Sequence, residues 1–134
     1  MIGYLIDTDW AVDYLKGVDE KVEFLQSQED LYVSTLTVGE LVEEIEDSDR
    51  RDQRMSALED FLSGITVLSF TKQAAVEFGK IRNNLREKGE MIGDIDTMIG
   101  ATAKAHSLEV LTDNTQHFRK INGLELYEEE KQQS

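Results

Sequence analysis

A chain of 134 residues fits one domain, long enough to bury roughly two thirds of the surface that its unfolded form exposes, and its lack of cysteine excludes disulfides, thiolate zinc sites and cysteine nucleophiles. No apolar stretch approaches the roughly 20 residues of a membrane helix and no basic segment precedes the first apolar run, so the chain reads as a cytoplasmic protein with no membrane partner. Its 28 acidic against 14 basic residues, a formal net charge of −14, speak against a nucleic-acid partner, although part of the acid lies in Glu128-Glu129-Glu130 and on helix faces such as Glu43, Glu44, Glu46 and Asp47, where a solvated surface accounts for it.

Tyr4-Leu5-Ile6 reads as a short buried strand that ends in two carboxylates, Asp7 and Asp9. Asp9 is placed to cap a helix through Trp10, Val12, Tyr14 and Leu15, which Gly17 closes. Residues 19–28 form a second amphipathic segment and Leu31-Tyr32-Val33-Ser34 the next strand. A long helical region opens at Thr37, breaks between Asp47 and Asp52, and resumes through Met55, Leu58, Phe61 and Leu62. Residues 65–68 are the third strand. Thr71 opens the clearest helix, with Ala74, Ala75, Phe78, Ile81 and Leu85 at helical spacing up to Gly89. After a loop, a helix starts near Asp94, and Glu109-Val110-Leu111 is the fourth strand, followed by Thr112-Asp113-Asn114. Residues 124–126 are a possible fifth. Strands separated by helices imply crossovers and hence an α/β sandwich with a mainly parallel sheet, spanning residues 1–127, with 128–134 as a short acidic and polar tail.

Several carboxylates drawn from different elements suit a hard divalent cation, which offsets their repulsion, lowers the pKa of a bound water and stabilises charge on phosphate. With no cysteine and only His106 and His117, a zinc hydrolase or a histidine-pair nuclease has little to work with. Each acid also has a plainer role. Asp7 could cap the next helix. Glu40 fits a capping box in Thr37-Val38-Gly39-Glu40. Asp94 and Asp96 sit in a first helical turn, where the helix dipole favours negative charge, with Asp94 the better placed of the two to cap, and Asp113 could be a turn residue.

Tyr4-Leu5-Ile6-Asp7-Thr8-Asp9, Val33-Ser34-Thr35-Leu36-Thr37-Val38-Gly39-Glu40-Leu41, Ile92-Gly93-Asp94-Ile95-Asp96-Thr97-Met98-Ile99-Gly100-Ala101 and Val110-Leu111-Thr112-Asp113-Asn114-Thr115-Gln116-His117-Phe118 together resemble the successive motifs of the PIN-domain family, in particular the VapC-type toxins of toxin–antitoxin pairs. The resemblance implies a PIN-like three-layer sandwich, a central parallel sheet flanked by helices, and a ribonuclease dependent on Mg²⁺ or Mn²⁺. Asp7, Glu40 and Asp96 match the family's three principal acids, catalytic and metal-binding. Asp94 matches a position acidic in some members, and Asn114, with Asp113 beside it, falls at the fourth acidic position. Thr8 and Thr112 match supporting polar residues. A small VapB-like antitoxin covering the site, inserting Arg or Lys toward the acids, and a homodimer are implied partners.

An RNA substrate requires local cations. Arg50, Arg51 and Arg54, then Arg82, Arg86 and Lys88, then Arg119 and Lys120 are candidates, with helix-surface pairing as their alternative role. Two other functions are compatible with the residues. Asp7-Thr8-Asp9 also matches the nucleophile motif of haloacid-dehalogenase-like phosphatases, although Glu40 and Asp96 then lack roles. A non-catalytic PIN-like binding module is the other.

Overall fold

The computed structural model describes residues 2–128. Four short strands, β1 (Tyr4–Ile6), β2 (Leu31–Ser34), β3 (Thr66–Leu68) and β4 (Glu109–Leu111), pair in the order β3-β2-β1-β4 with every neighbour parallel. Leu5 stands opposite Tyr32 on one side and Val110 on the other, which fixes β1 as a central strand.

The period-2 alternation of a strand assigns neighbouring residues to opposite faces, and each face is covered by helices. Tyr4, Ile6 and Leu111 pack under α1 (Thr8–Leu15), α2 (Asp19–Gln26), α3 (Thr35–Glu46) and α4 (Arg51–Ser63), through Trp10, Leu25, Leu41, Ile45, Leu58 and Phe61. Leu5 and Val110 pack under α5 (Lys72–Lys88), α6 (Asp94–His106) and α7 (Thr115–Phe118), through Ile81, Leu85, Ile99 and Phe118. The result is the expected three-layer sandwich. Among the described residues no helix is long and apolar enough to cross a membrane.

Local signals set several boundaries as the sequence predicts. Thr71 caps α5, its hydroxyl accepting from Ala74 N at 3.1 Å, and Gly89 closes that helix in the left-handed region at φ 68°. The break between α3 and α4 falls inside the charged interval. Three expectations change. Helix α1 begins at Thr8, so Asp7 and not Asp9 occupies its N-cap position, and Asp7's side chain makes no capping bond. Helix α3 begins two residues earlier than Thr37, capped by Ser34, whose hydroxyl accepts from Leu36 N at 2.9 Å, so Thr37-Val38-Gly39-Glu40 is not a capping box. Helix α6 is capped by Gly93, with Asp94 already inside it.

The possible fifth strand is a single bridge, Val110 to Leu126. The reason lies in the pairing of β4: Glu109 N donates to Gly3 O and Leu111 O accepts from Asp7 N, so both ends of this three-residue strand face β1. Only Val110 turns its amide and carbonyl outward, to Glu125 O and Tyr127 N, at 3.0 Å each. The short helix α7, which the periodicity did not predict, follows directly. Of the acidic tail, Glu129 and the residues after it lie outside the described residues.

Candidate active site

The chain runs from β1 outward to β2 and β3, then returns to place β4 on the other side of β1. In a parallel sheet the crevice at the carboxyl ends beside such a reversal is where ligands bind. There Asp7 N donates to Leu111 O at 2.9 Å, which levels the ends of β1 and β4. Asp7 is 5% exposed, and its Oδ2 accepts from the Thr112 hydroxyl at 2.7 Å. Burial, then the negative charges of Asp9 and Asp96, push its pKa up to about 7, against the pull of the Thr112 hydroxyl and the Thr8 amide. Asp9 turns to the same place: its Oδ2 accepts from Asp113 N at 3.1 Å and lies 3.4 Å from the Thr112 hydroxyl, whose one proton goes to Asp7. Its Oδ1 is buried with no hydrogen-bond partner among the described residues, and burial raises its pKa as well, with Asp113 adding to it.

Glu40 reaches the crevice from the second turn of α3. The Thr8 hydroxyl donates to Glu40 Oε1 at 2.6 Å and stands 3.1 Å from the Thr37 hydroxyl, which ties α1 to α3 beside Asp7. Asp96 comes from the first turn of α6, and its Oδ2 lies 3.4 Å from Asn114 Nδ2 and 3.3 Å from His117 Nδ1. Asn114 N in turn donates to the Thr112 hydroxyl at 2.9 Å. Thus Thr112 from the turn after β4 and Asp96 from α6 act on Asp7, Asn114 from the same turn stands at Asp96, and Glu40 of α3 is held by Asp7's neighbour Thr8.

Two acids named from the sequence point elsewhere. Asp94 pairs with Arg82 across α5 and α6. Asp113 accepts from Trp10 Nε1 at 3.1 Å and lies 3.2 Å from Lys21 Nζ, so of the Asp113–Asn114 pair it is Asn114 that stands at Asp96. The cations are similarly engaged: Arg82 with Asp94, Arg119 with Glu128, Arg51 with Glu46 and Asp52. Lys88 Nζ donates to the Lys120 carbonyl at 2.9 Å. Arg50 and Arg54 line a small groove with Leu15 and Leu41, and Arg86 lies in the last turn of α5. A cavity of about 830 Å³ adjoins the crevice at Thr112 and Asp113, walled by Trp10, Phe24 and Tyr127. These rings pack edge-on or tilted against one another, consistent with their reading as apolar-face residues.

Sequence reasoning passed over Thr37 and His117. The signal for His117 was present, three residues after Asn114, but it counts only if a helix begins between them, as α7 does.

The donor set around Asp7 is oxygen, the set that hard divalent cations take, and a buried and a half-buried carboxylate with raised pKa, the second with one unpartnered buried oxygen, are what a cation would relieve. Among the described residues no three acids or imidazoles stand close enough together to hold a metal ion by themselves. That suits Mg²⁺, which keeps several waters and takes one or two carboxylates with substrate phosphate.

Comparison with known proteins agrees with this geometry. The PIN domain model matches residues 4–124. Ribonuclease VapC2 of Haemophilus influenzae is 30% identical over 92% of this chain and 96% of its own length. The tRNA(fMet)-specific endonuclease VapC of Shigella flexneri is 30% identical over the same shares. Among solved structures, VapBC2 from Rickettsia felis bound to a DNA fragment from its promoter superposes with a TM-score of 0.88 at 27% identity, covering 95% of this chain and 98% of that one. A crevice of carboxylates at the β1–β4 switch point, on this fold and with these relatives, identifies the chain as a member of the PIN-domain family, of the VapC type.

Proposed function

We propose that the chain is a metal-dependent endoribonuclease and the toxin of a VapBC-type pair, acting in the cytoplasm. The observation that carries this reading is Asp7: a buried carboxylate at the switch point, pushed to about 7 with Asp9 and Asp96 as its charged neighbours. Such a site is unfavourable unless a cation sits in it. Asp7 and Asp96 are the principal metal-binding acids, Glu40 joins directly or through water, and Asn114, rather than Asp113, completes the site. When bound, Mg²⁺ or Mn²⁺ lowers the pKa of water and offsets charge on the phosphate under attack.

The chain's own residues supply the positioning. Thr112 donates to Asp7 Oδ2 and so fixes which oxygen faces the crevice. Thr8 holds Glu40 by Oε1, leaving Oε2 to take a proton from the attacking water as its oxygen bonds to phosphorus and the ester P–O bond breaks, the leaving oxygen taking a proton from solvent. Asn114 steadies Asp96. The phosphatase alternative needs Asp9 as acid/base toward the substrate, yet Asp9 Oδ2 is turned to the turn after β4, where it accepts from Asp113 N.

Relatives crystallised as VapBC complexes support a small VapB-like antitoxin as partner, one that inserts Arg or Lys toward Asp7, Glu40 and Asp96; a homodimer is the proposed assembly.

The test is cleavage of a labelled RNA pool with Mg²⁺, with Mn²⁺ and with EDTA, for wild type, Asp7→Ala and Asp96→Asn, with a small phosphomonoester as control. Metal-dependent cuts that fall by more than about 100-fold in both variants, with Asp96→Asn retaining its melting transition, are expected. Cleavage retained by Asp96→Asn overturns the assignment of the site. Phosphomonoester turnover without RNA cleavage restores the phosphatase, and silence on both from antitoxin-free protein favours a binding module.

A further inference from the structure

At the mouth of the crevice, three side chains meet within hydrogen-bonding range. His117 Nδ1 lies 2.9 Å from Asn114 Nδ2 and 3.3 Å from Asp96 Oδ2, and Asn114 Nδ2 lies 3.4 Å from that same oxygen. Two proton arrangements fit these distances: Nδ1–H donates to Asp96 with the Asn114 carbonyl turned to the ring, or the Asn114 NH₂ donates to both Asp96 and Nδ1, which leaves Nδ1 and Asp96 Oδ2 facing each other at 3.3 Å without a proton. The second arrangement keeps the Asn114 carbonyl away from Asp96, a carboxylate that only accepts, and gives both contacts of the amide nitrogen a proton. That NH₂ has two protons and nothing to accept with, so at 2.9 Å the imidazole Nδ1 accepts the second. An imidazole whose Nδ1 accepts carries its proton on Nε2. With Nδ1 turned to Asn114 and Asp96, Nε2 lies on the far side of the ring, and 46% of the His117 side chain is open to solvent.

The surroundings say what such a donor is for. Asp7, Asp9, Glu40 and Asp96 make the crevice acidic, while Lys21 is engaged by Asp113, Arg82 by Asp94 and Arg119 by Glu128. A phosphodiester therefore meets few donors at this edge. We infer that Asn114 locks His117 in the Nε2–H tautomer, and that this N–H binds a non-bridging phosphate oxygen of the RNA beside Asp96. The phosphate half of the inference rests on the nuclease reading above, whereas the tautomer half does not. It also gives an amide at position 114 a task that a carboxylate could not perform, since an Asp there would present only acceptors to both Asp96 and Nδ1.

Two measurements test it. Long-range ¹H–¹⁵N spectra of the histidine side chains in metal-free protein at neutral pH, assigned with His106→Gln, should show His117 as the Nε2–H tautomer, with the preference lost in Asn114→Ala. A Nδ1–H tautomer in the wild type, or no change in Asn114→Ala, overturns the lock. In cleavage of an RNA oligonucleotide with Mg²⁺, His117→Gln, whose amide nitrogen falls near Nε2, should keep kcat/KM within about 3-fold. His117→Asn, whose amide falls near Nδ1, and His117→Ala should lose about 10–100-fold, chiefly through KM, the loss expected for one hydrogen bond to a charged group. Equal losses in all three variants, or none, overturn the phosphate contact. A wild type that cuts no RNA overturns the nuclease reading and that contact together, while wild-type cutting with an unimpaired His117→Ala overturns the contact alone.

Discussion

Asp7 keeps its proton to about pH 7 in the folded chain, against a usual 3.8, and that difference links the site to stability. Between those values the folded state holds a proton that the unfolded state has released, so in the metal-free protein stability falls as pH rises from about 4 to about 7. Asp9, raised in the same direction, adds to this slope. Asp7→Asn removes the larger contributor. At pH 8 the metal-free variant should be more stable than the wild type by up to about 4 kcal/mol, with the gain vanishing near pH 4, as urea unfolding at the two pH values would show. Added Mg²⁺ should stabilise the wild type and leave the variant nearly unchanged. A variant no more stable than wild type at pH 8 would mean that Asp7 is not held against its charge. Thr112 is the counterweight, since its hydroxyl donates to Asp7 Oδ2 and accepts from Asn114 N. Thr112→Val should therefore lower metal affinity by about 10–100-fold, the usual cost of removing a supporting hydrogen bond, measured by cation titration.

Helix α3 shows how an element carries the site. Ser34, 1% exposed, caps it, and Thr37 and Glu40 follow within the next two turns. Ser34→Ala should cost about 1 kcal/mol. Gly89→Ala, which forces a Cβ into the left-handed region at the end of α5, should cost about the same. The two losses in a melting curve match, but only Ser34→Ala should also depress RNA cleavage, because only α3 presents Glu40 to the crevice. Equal cleavage in the two variants would show that the start of α3 does not position that acid. The same elements explain what the sequence discloses. Thr71, Gly89 and the charged break before α4 act within a few residues of themselves, so strands, helices and the sandwich are legible, and Asp7 and Asp96 stand out as acids at element junctions, whereas Glu40, expected at a junction, lies in the second turn of α3. Their partners are not legible locally. Asp7 meets Thr112 across 105 residues and Thr8 meets Glu40 across 32, and those contacts, rather than capping rules, decide that Asp7 turns inward and that Glu40 is not part of a capping box. The carboxylates of Asp94 and Asp113 are taken up by Arg82 and by Trp10 and Lys21, choices that no spacing rule encodes. The extent of the possible fifth strand and the presence of α7 are not legible for a related reason: a three-residue β4 exposes a single outward residue, and one helical turn is too short to show a period.

Across the whole molecule, a net charge of −14 opposes the approach of RNA, and the pairing of Arg51, Arg82 and Arg119 with carboxylates reduces what could offset it. Attraction is therefore confined to the crevice, where a divalent cation acts at short range, while repulsion acts from the surface at long range. Monovalent salt separates the two, because at about 0.1 M charges more than about 10 Å apart on an exposed surface are largely screened, whereas buried ones are screened far less. With free Mg²⁺ held constant, raising KCl from about 20 to about 150 mM should increase kcat/KM several-fold through KM, since the repulsion is screened first. The usual behaviour of a basic nucleic-acid-binding protein is the opposite, a fall whose slope counts the phosphates neutralised. Glu43→Gln with Glu44→Gln, on the exposed side of α3, should flatten the rise. A steep fall with salt in the wild type would contradict this account and place the RNA track on a cluster of basic side chains, with Arg50 and Arg54 at the start of α4 and Arg86 at the end of α5 as the first residues to reverse in charge.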